Sequence, residues 1–285
     1  MDDGSDVECR IKGNFRIRGI RSTNPVAVGD FVEIVEGWIT DVLPRRNYII
    51  RKATNLSKES HILAANIDQV ALIVTVNHPA TSTTFIDRFL ATCEAYRVRA
   101  ILIFNKIDLL TDAERERLTE LRELYESIGY ETVEMSAIRI QSSDILPLLA
   151  GKTTLLSGNS GVGKSTLLNA LFGHEVTRTG KISDVHNTGM HTTTFSEMFF
   201  LDDGAVIDTP GIKGFGTIDF EREEVSHYFP EIFAAGRECR FGNCTHTNEP
   251  GCAVQDQLIT GEIALSRYES YLSILNDATE GKYRA

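Results

Sequence analysis

The apolar positions of this chain follow three successive patterns. Over residues 8–52 they come in short runs, "CRIKGNFRIRG", "DFVEIVE" and "NYIIRK", separated by turn material such as Asn24-Pro25 and Gly29-Asp30. Several short strands with no helical period between them predict a small β-barrel. The period changes near residue 66. "VALIVTV" (70–76) and "AILIF" (100–104) are unbroken apolar runs, the pattern of strands buried on both faces of a parallel sheet. Helical segments are expected around 84–97 and 112–128; the second opens on the capping box Thr111-x-x-Glu114 and repeats Leu118, Leu121, Tyr125 and Ile128 on one face. "TVEM", a short helix, "TTLLSG", a helix from Lys164 and two strands ending in "AVIDTPG" complete a strand–helix alternation. That alternation predicts a doubly wound α/β domain. From about residue 219 the chain turns helical and polar, is interrupted by a Cys/His loop at 239–252, and closes on a helix near 262–276. The expected domains are 1–66, 67–217 and 218–285.

The α/β segment carries loop chemistry at the ends of its strands. Gly158-Asn159-Ser160-Gly161-Val162-Gly163-Lys164-Ser165-Thr166 follows the strand "TLLS" and opens the helix "STLLNALFG". In this context glycines let consecutive backbone N–H groups face phosphates, and the helix N-terminus adds its positive end. Lys164 is then expected to reach the β/γ-phosphates and the Ser165 hydroxyl to bind Mg²⁺. Asn105-Lys106-Ile107-Asp108 follows "AILIF", at the carboxyl end where such sheets bind ligands. A carboxylate at Asp108 accepts from guanine N1–H and the 2-amino group, whereas adenine offers an acceptor at N1, so GTP is expected over ATP. Ser136-Ala137, after "TVEM", is placed to bring a backbone N–H to guanine O6.

Two further loops fit the sensing of a γ-phosphate. Asp208-Thr209-Pro210-Gly211 follows the strand "AVID": Asp208 would hold Mg²⁺ through a water, and the Gly211 N–H would meet the γ-phosphate. The glycine-rich "GIKGFG" after it suits a switch. Upstream, "TGKISDVHNTGMHTTTF" holds Thr192 and Thr193, either of which could supply a second hydroxyl to Mg²⁺. Where many GTPases carry a water-orienting Gln after this motif, the chain has Ile212. An aliphatic side chain cannot orient water by hydrogen bonding, so intrinsic turnover is expected to be slow, with His191 a candidate contributor.

Cysteine usage adds a second chemistry. Three of the five cysteines fall in the last fifth of the chain, which favours a metal site over a disulfide framework. Cys239-x₄-Cys244-x-His246-x₅-Cys252 offers three thiolates and an imidazole within 14 residues, a donor set suited to closed tetrahedral Zn²⁺. Cys9 and Cys93 stand alone and read as packed residues.

Charge and length narrow the class. The 285 residues are 42% hydrophobic, without an apolar run long enough to span a bilayer and without a signal-peptide pattern in "MDDGSDVECR". A cytoplasmic protein with no membrane partner is the expectation. A net charge of −11 opposes indiscriminate nucleic-acid binding. Residues 9–52, however, hold nine Lys/Arg against four acids. Arg10, Lys12, Arg16, Arg18, Arg21, Arg45 and Arg46 are therefore expected to meet RNA phosphates, with Phe15 and Tyr48 stacking on bases.

The order of the loops carries a resemblance. Base-reading loops (105–108, 136–137) precede the phosphate loop (158–166), the threonine switch (191–194) and "DTPG" (208–211), the order of a circularly permuted GTPase. With a basic β segment before it and a Cys/His module after it, the chain resembles the bacterial ribosome small subunit-dependent GTPase A family, also called YjeQ. The resemblance covers essentially the whole chain. It implies a circularly permuted P-loop GTPase domain of α/β class, flanked by an N-terminal OB-type β-barrel and a C-terminal helical zinc-binding domain. It also implies GTP/GDP, Mg²⁺ and one structural Zn²⁺, with the small ribosomal subunit and its rRNA as partners. The implied activity is slow GTP hydrolysis stimulated by the subunit in its late maturation. Two departures from the pattern stand out: Ile138 follows Ser136-Ala137 where many GTPases place Lys, and the barrel looks short at its beginning, as if truncated. A monomer is expected. The rival reading is a zinc-containing RNA-binding module switched by GTP, with incidental hydrolysis; a generic nucleoside triphosphatase is disfavoured by Asp108. Because the switch runs directly into the Cys/His module, GTP binding is expected to reorient residues 218–285 through that tether.

Overall fold

A computed structural model of the chain describes residues 5–11, 25–52, 60–176, 196–209 and 220–280, with the side chains of 51–61 and 279–280 left out. At the N-terminal end, β1 (Arg10–Ile11), β2 (Val32–Val35) and β3 (Trp38–Val42) form a three-stranded sheet in the order β1-β3-β2. β4 (Tyr48–Lys52) and β5 (Ser60–Ala65) form a separate antiparallel pair. β2 and β4 fall within the predicted runs "DFVEIVE" and "NYIIRK", whereas most of "CRIKGNFRIRG" lies outside the described residues. Ile49, Leu63 and Ala64 of the β4–β5 pair are buried in the same apolar cluster as the central sheet.

Two side chains expected to face RNA are committed elsewhere. Arg45 forks onto Asp30, Nε donating to Oδ1 and Nη2 to Oδ2, both at 2.6 Å, and the two side chains are only 6% and 0% exposed. Such a desolvated bidentate pair holds a loop together and leaves no guanidinium face for a phosphate. Tyr48 packs its ring on Tyr96, with centroids 5.4 Å apart, so it is not a free stacking platform. Arg46 remains largely exposed beside Asp68. Lys12, Phe15, Arg16, Arg18 and Arg21 lie outside the described residues.

The central sheet comprises β6 (Gln69–Val74), β7 (Arg99–Phe104), β8 (Glu131–Glu134), β9 (Lys152–Ser157), β10 (Glu197–Leu201) and β11 (Gly204–Asp208), in the order β10-β11-β9-β6-β7-β8. All pairs are parallel except β10 with β11. Alternate residues of β6 enter opposite cores, as a strand period of two requires: Val70, Leu72 and Val74 face one, Ala71 and Ile73 the other. α1 (Thr83–Tyr96) and α2 (Asp112–Ser127) cover the first face, and α3 (Ser142–Leu149) and α4 (Lys164–Phe172) the second. The Thr111–Glu114 capping box forms, and Leu118, Leu121 and Tyr125 are buried as the helical period predicts. Chain order runs outward from β6 to β8 and returns to β9 on β6's other side. The crevice at the carboxyl ends of β6 and β9 is therefore a topological switch point, the usual ligand position in such sheets.

Residues 220–280 pack around a third core of Val225, Phe229, Ile232, Val254, Ile263, Tyr268, Tyr271, Ile274 and Leu275, to which α1 contributes Ala91. The elements are a 3₁₀ segment (Arg222–Tyr228), α5 (Pro230–Gly236), α6 (Ala253–Thr260) and α7 (Leu265–Glu280). The last helix begins later than its apolar pattern suggested, because Gly261 ends α6 at φ 82° and Ile263 turns inward, its N–H donating to the Gln257 carbonyl. Among the described residues no helix is long and apolar enough to cross a membrane.

Candidate functional site

The loops that leave β6, β7, β8, β9 and β11 meet at the carboxyl edge of the sheet. Between β9 and α4 the backbone turns through Gly158, Gly161 and Gly163 at φ 145°, 84° and 105°. Two of these positions admit no side chain. A Cβ on Gly158 would lie 2.4 Å from the Ile73 carbonyl oxygen, and one on Gly163 would lie 2.3 Å from Asn105 Nδ2. The loop is thus shaped against its neighbours as well as toward a ligand.

Lys164 opens α4 with its side chain turned back over the loop, Nζ donating to the carbonyls of Gly158 at 2.7 Å and Asn159 at 3.0 Å. Burial pushes its pKa down, and the nearby Asp208 carboxylate partly offsets that effect. Asp208, at the end of β11, is raised to about 6 by burial, with Lys164 opposing and Glu197 adding to the rise. Asp208 Oδ1 is buried without a hydrogen-bond partner among the described residues. Such an atom fits a hydrated divalent cation, the role the sequence suggests for this carboxylate. Thr209 is buried and anchors the turn, its hydroxyl donating to the Leu156 carbonyl at 3.0 Å.

The base-reading loops join the phosphate loop directly. Asn105, almost fully buried, donates through Nδ2 to the Val162 carbonyl at 2.8 Å and accepts from the Ala137 N–H at 2.9 Å. Lys106 sits at φ 63° and donates to the carbonyls of Gly161 and His78. Asp108 Oδ1 accepts from the Ser136 hydroxyl, and that bond leads the causes that hold its carboxyl below the usual range. Of the Ser136-Ala137 pair expected to bring a backbone N–H to guanine O6, the Ala137 N–H donates to Asn105. The roles of Asn105 and Lys106 as braces across the phosphate loop were not visible in the sequence, where both read only as base contacts. His191, Thr192, Thr193, Gly211 and Ile212 lie outside the described residues.

The second cluster is in residues 220–280. The ligand atoms of Cys239, Cys244, His246 and Cys252 all lie within 4.8 Å of one another. His246 turns Nδ1 to the sulfurs of Cys252 at 3.5 Å and Cys239 at 3.6 Å. Burial raises Cys244 to about 12 and lowers His246, the response of desolvated ionisable groups. Three soft donors and an imidazole at this spacing fit a tetrahedral zinc centre with no open position.

The loop bearing these ligands is braced by residues that the sequence did not single out. Tyr268 Oη and Gln255 Nε2 donate to the His246 carbonyl at 2.7 and 2.6 Å, and Tyr271 Oη donates to the Thr245 carbonyl at 2.8 Å. Tyr268 and Tyr271, three apart on one helix, were the available signal. Glu249 caps the loop, accepting from the N–H groups of Thr245, Thr247 and Asn248 and from the Thr245 hydroxyl. Burial alone would raise its pKa, but those bonds bring it down to about 2. A depressed carboxylate contributes fully above its unfolded pKa of about 4.3 and loses that contribution as pH falls toward the folded value. Glu249→Gln is expected to cost ~1–2 kcal/mol at neutral pH after solvent screening, read as a lower thermal midpoint.

The chain is similar to known proteins along nearly its whole length. The family model described as RsgA GTPase matches residues 42–218. A Phocaeicola vulgatus protein named small ribosomal subunit biogenesis GTPase RsgA is 59% identical over 291 residues, covering 100% of this chain and 94% of its own length. The Porphyromonas gingivalis protein of the same name is 60% identical over 294 residues, covering 99% and 93%. Among solved structures, YjeQ from Thermotoga maritima matches with a TM-score of 0.72 at 34% identity, over 95% of this chain and 89% of its own. YloQ, described as a circularly permuted GTPase, matches with a TM-score of 0.71 at 30% identity, over 99% and 90%.

Proposed function

The chain belongs to the RsgA GTPase family, and we propose from that membership how its loops carry the activity. It is a GTP hydrolase of small ribosomal subunit biogenesis. The observation that carries the mechanistic reading is the double use of Asn105, whose amide ties the phosphate loop at Val162 to the base-side loop at Ala137. Circular permutation puts the base-reading loops before the phosphate loop in the chain, and one buried side chain joins them.

In this reading the N–H groups of 158–166 receive the phosphates, and Lys164 exchanges its two carbonyl partners for β/γ-phosphate oxygens. Asp108, with its carboxylate set by Ser136, selects guanine through the N1–H and 2-amino donors. Ser165, Asp208 and one of Thr192 or Thr193 would hold Mg²⁺, which when bound neutralises phosphate charge. Gly211 meets the γ-phosphate. Ile212 supplies no water-orienting group, which makes intrinsic hydrolysis slow and leaves the subunit, with His191, to complete the site. Cys239, Cys244, His246 and Cys252 hold one structural zinc.

The proposed units are an OB-type RNA-binding barrel over 1–66, the permuted GTPase domain over 67–217 and the zinc-binding domain over 218–285. The protein works in the cytoplasm as a monomer on the small subunit and its rRNA. A second reading, a GTP-switched RNA-binding module with incidental hydrolysis, draws on Ile212. Hydrolysis measured with and without isolated small subunits separates the two. Stimulation of about 10²-fold or more is expected, the scale on which a single preorganised catalytic donor acts; GTP-dependent binding without stimulation would favour the module.

A further inference from the structure

The zinc-binding unit meets the sheet-bearing unit where α7 lies along α1, and the centre of that contact is charged and buried. Arg267, near the start of α7, is 1% exposed. Its Nη1 donates to Asp87 Oδ1 at 2.8 Å, its Nε and Nη2 donate to the Glu231 carboxylate at 2.7 and 3.2 Å, and its guanidinium lies 4.7 Å over the Phe229 ring. Asp87, on α1, also accepts from Tyr125 Oη of α2 at 2.9 Å and from Ser270 Oγ of α7 at 2.6 Å. Further along, Arg88 donates to Ser273 Oγ at 2.6 Å and pairs with Asp277 at 2.7 Å. A buried pair that loses one partner leaves an uncompensated charge, so this contact resists sliding and partial opening.

Each helix of that contact is fastened at its other side to one of the two sites. α7 holds the zinc loop through the Tyr268 and Tyr271 hydroxyls on the backbone of His246 and Thr245. α1 starts immediately after the segment 75–82, with Ser82 as its cap. That segment is itself clasped to the phosphate loop by Lys106, whose ammonium joins the carbonyls of His78 and Gly161. Ordered contacts therefore run from the zinc loop to the phosphate loop without using residues 210–219.

We infer that Arg267 is a positioning residue that fixes the zinc-binding unit to α1 as one rigid body, so that a load on that unit reaches the nucleotide loops through α1. This differs from the sequence-based expectation of a swivel about the tether, and it rests on the reading of subunit-stimulated hydrolysis. Contiguity alone does not establish coupling, so the test reads rate and rigidity separately.

Arg267→Lys keeps a cation but cannot fork to both carboxylates or lie flat on Phe229. Basal hydrolysis and zinc content are expected to stay at wild-type values, the subunit concentration giving half-maximal rate to change little, and the stimulated kcat to fall about tenfold or more. Should that variant fail to fold, Arg88→Ala, at the half-exposed end of the contact, should show the same split at smaller amplitude. In amide exchange, α7 of the wild type is expected to share the protection of α1 with GDP and with a GTP analogue, whereas in Arg267→Lys the α7 amides exchange about tenfold faster than those of α1. Full stimulation of either folded variant would overturn the inference, as would a nucleotide-dependent change in α7 protection that α1 does not share. If the wild type shows no stimulation, the functional reading fails, and the exchange experiment alone decides whether the two units move as one.

Discussion

Lys164→Ala is expected to lower GTP hydrolysis by about 10³-fold, with and without small subunits, while leaving the chain folded. The magnitude follows from where the ammonium sits. Lys164 is 8% exposed, and that burial strips much of its hydration and pushes its pKa down. A phosphate oxygen arriving there meets a charge that need not be desolvated again, in surroundings where the attraction is screened less than in water. One preorganised donor in such a site contributes about 10²–10³-fold, and a full charge on a phosphoryl group belongs at the upper end of that range. Folding should not suffer. The side chain's two partners are neutral loop carbonyls rather than a buried counter-charge, and alanine is a better helix former than lysine at the start of α4. Single-turnover hydrolysis beside a thermal melt checks both halves; a rate within tenfold of wild type would mean that phosphate charge is met elsewhere.

What the sequence revealed and what it hid divide along the range of the interaction. The "VALIVTV" and "AILIF" runs, the Thr111–Glu114 box and the glycines of 158–163 are local patterns, and each is where the periodicity and spacing placed it. The Cys/His spacing likewise brings four ligand atoms together, because a 14-residue loop with turns can converge only on itself. Arg45 shows the limit. Read beside Arg46 it counted as basic surface, but Asp30, 15 residues earlier, folds under it and removes it from solvent. Nothing in either residue's neighbours announces that pairing. Asp87 and Arg267 are 180 positions apart, and in a helical pattern each reads as an ordinary polar residue. Only the packing of α7 on α1 turns them into a buried pair. Asn105 is intermediate: its motif marked it for a nucleotide, but its use as a strut between two loops depends on the topology that juxtaposes them.

Removing zinc should open the 239–252 loop and abolish stimulation by the small subunit, while basal GTP hydrolysis persists. Apart from its ligands, that loop is held by the hydrogen bonds of Glu249 and by those that Gln255, Tyr268 and Tyr271 donate to its backbone. It has no regular secondary structure, and His246 sits at φ 59°, in the left-handed region that few non-glycine residues occupy. Without the metal, three thiols and a ring nitrogen stay crowded within 4.8 Å and gain only weak hydrogen bonds in place of coordination. Structural zinc contributes on the order of 10 kcal/mol, more than the core of this small unit can replace. The loss should nonetheless stop at a definite boundary. α7 is tied to α1 by Arg267, Arg88 and Ser270, contacts that involve no zinc ligand, so its protection against amide exchange should outlast that of the loop. Chelation is therefore expected to raise exchange in 239–252 first and in α7 only at higher denaturant, with nucleotide affinity unchanged. Unchanged exchange in the loop after metal analysis shows zinc gone would mean that Glu249 and the tyrosine hydroxyls hold it unaided.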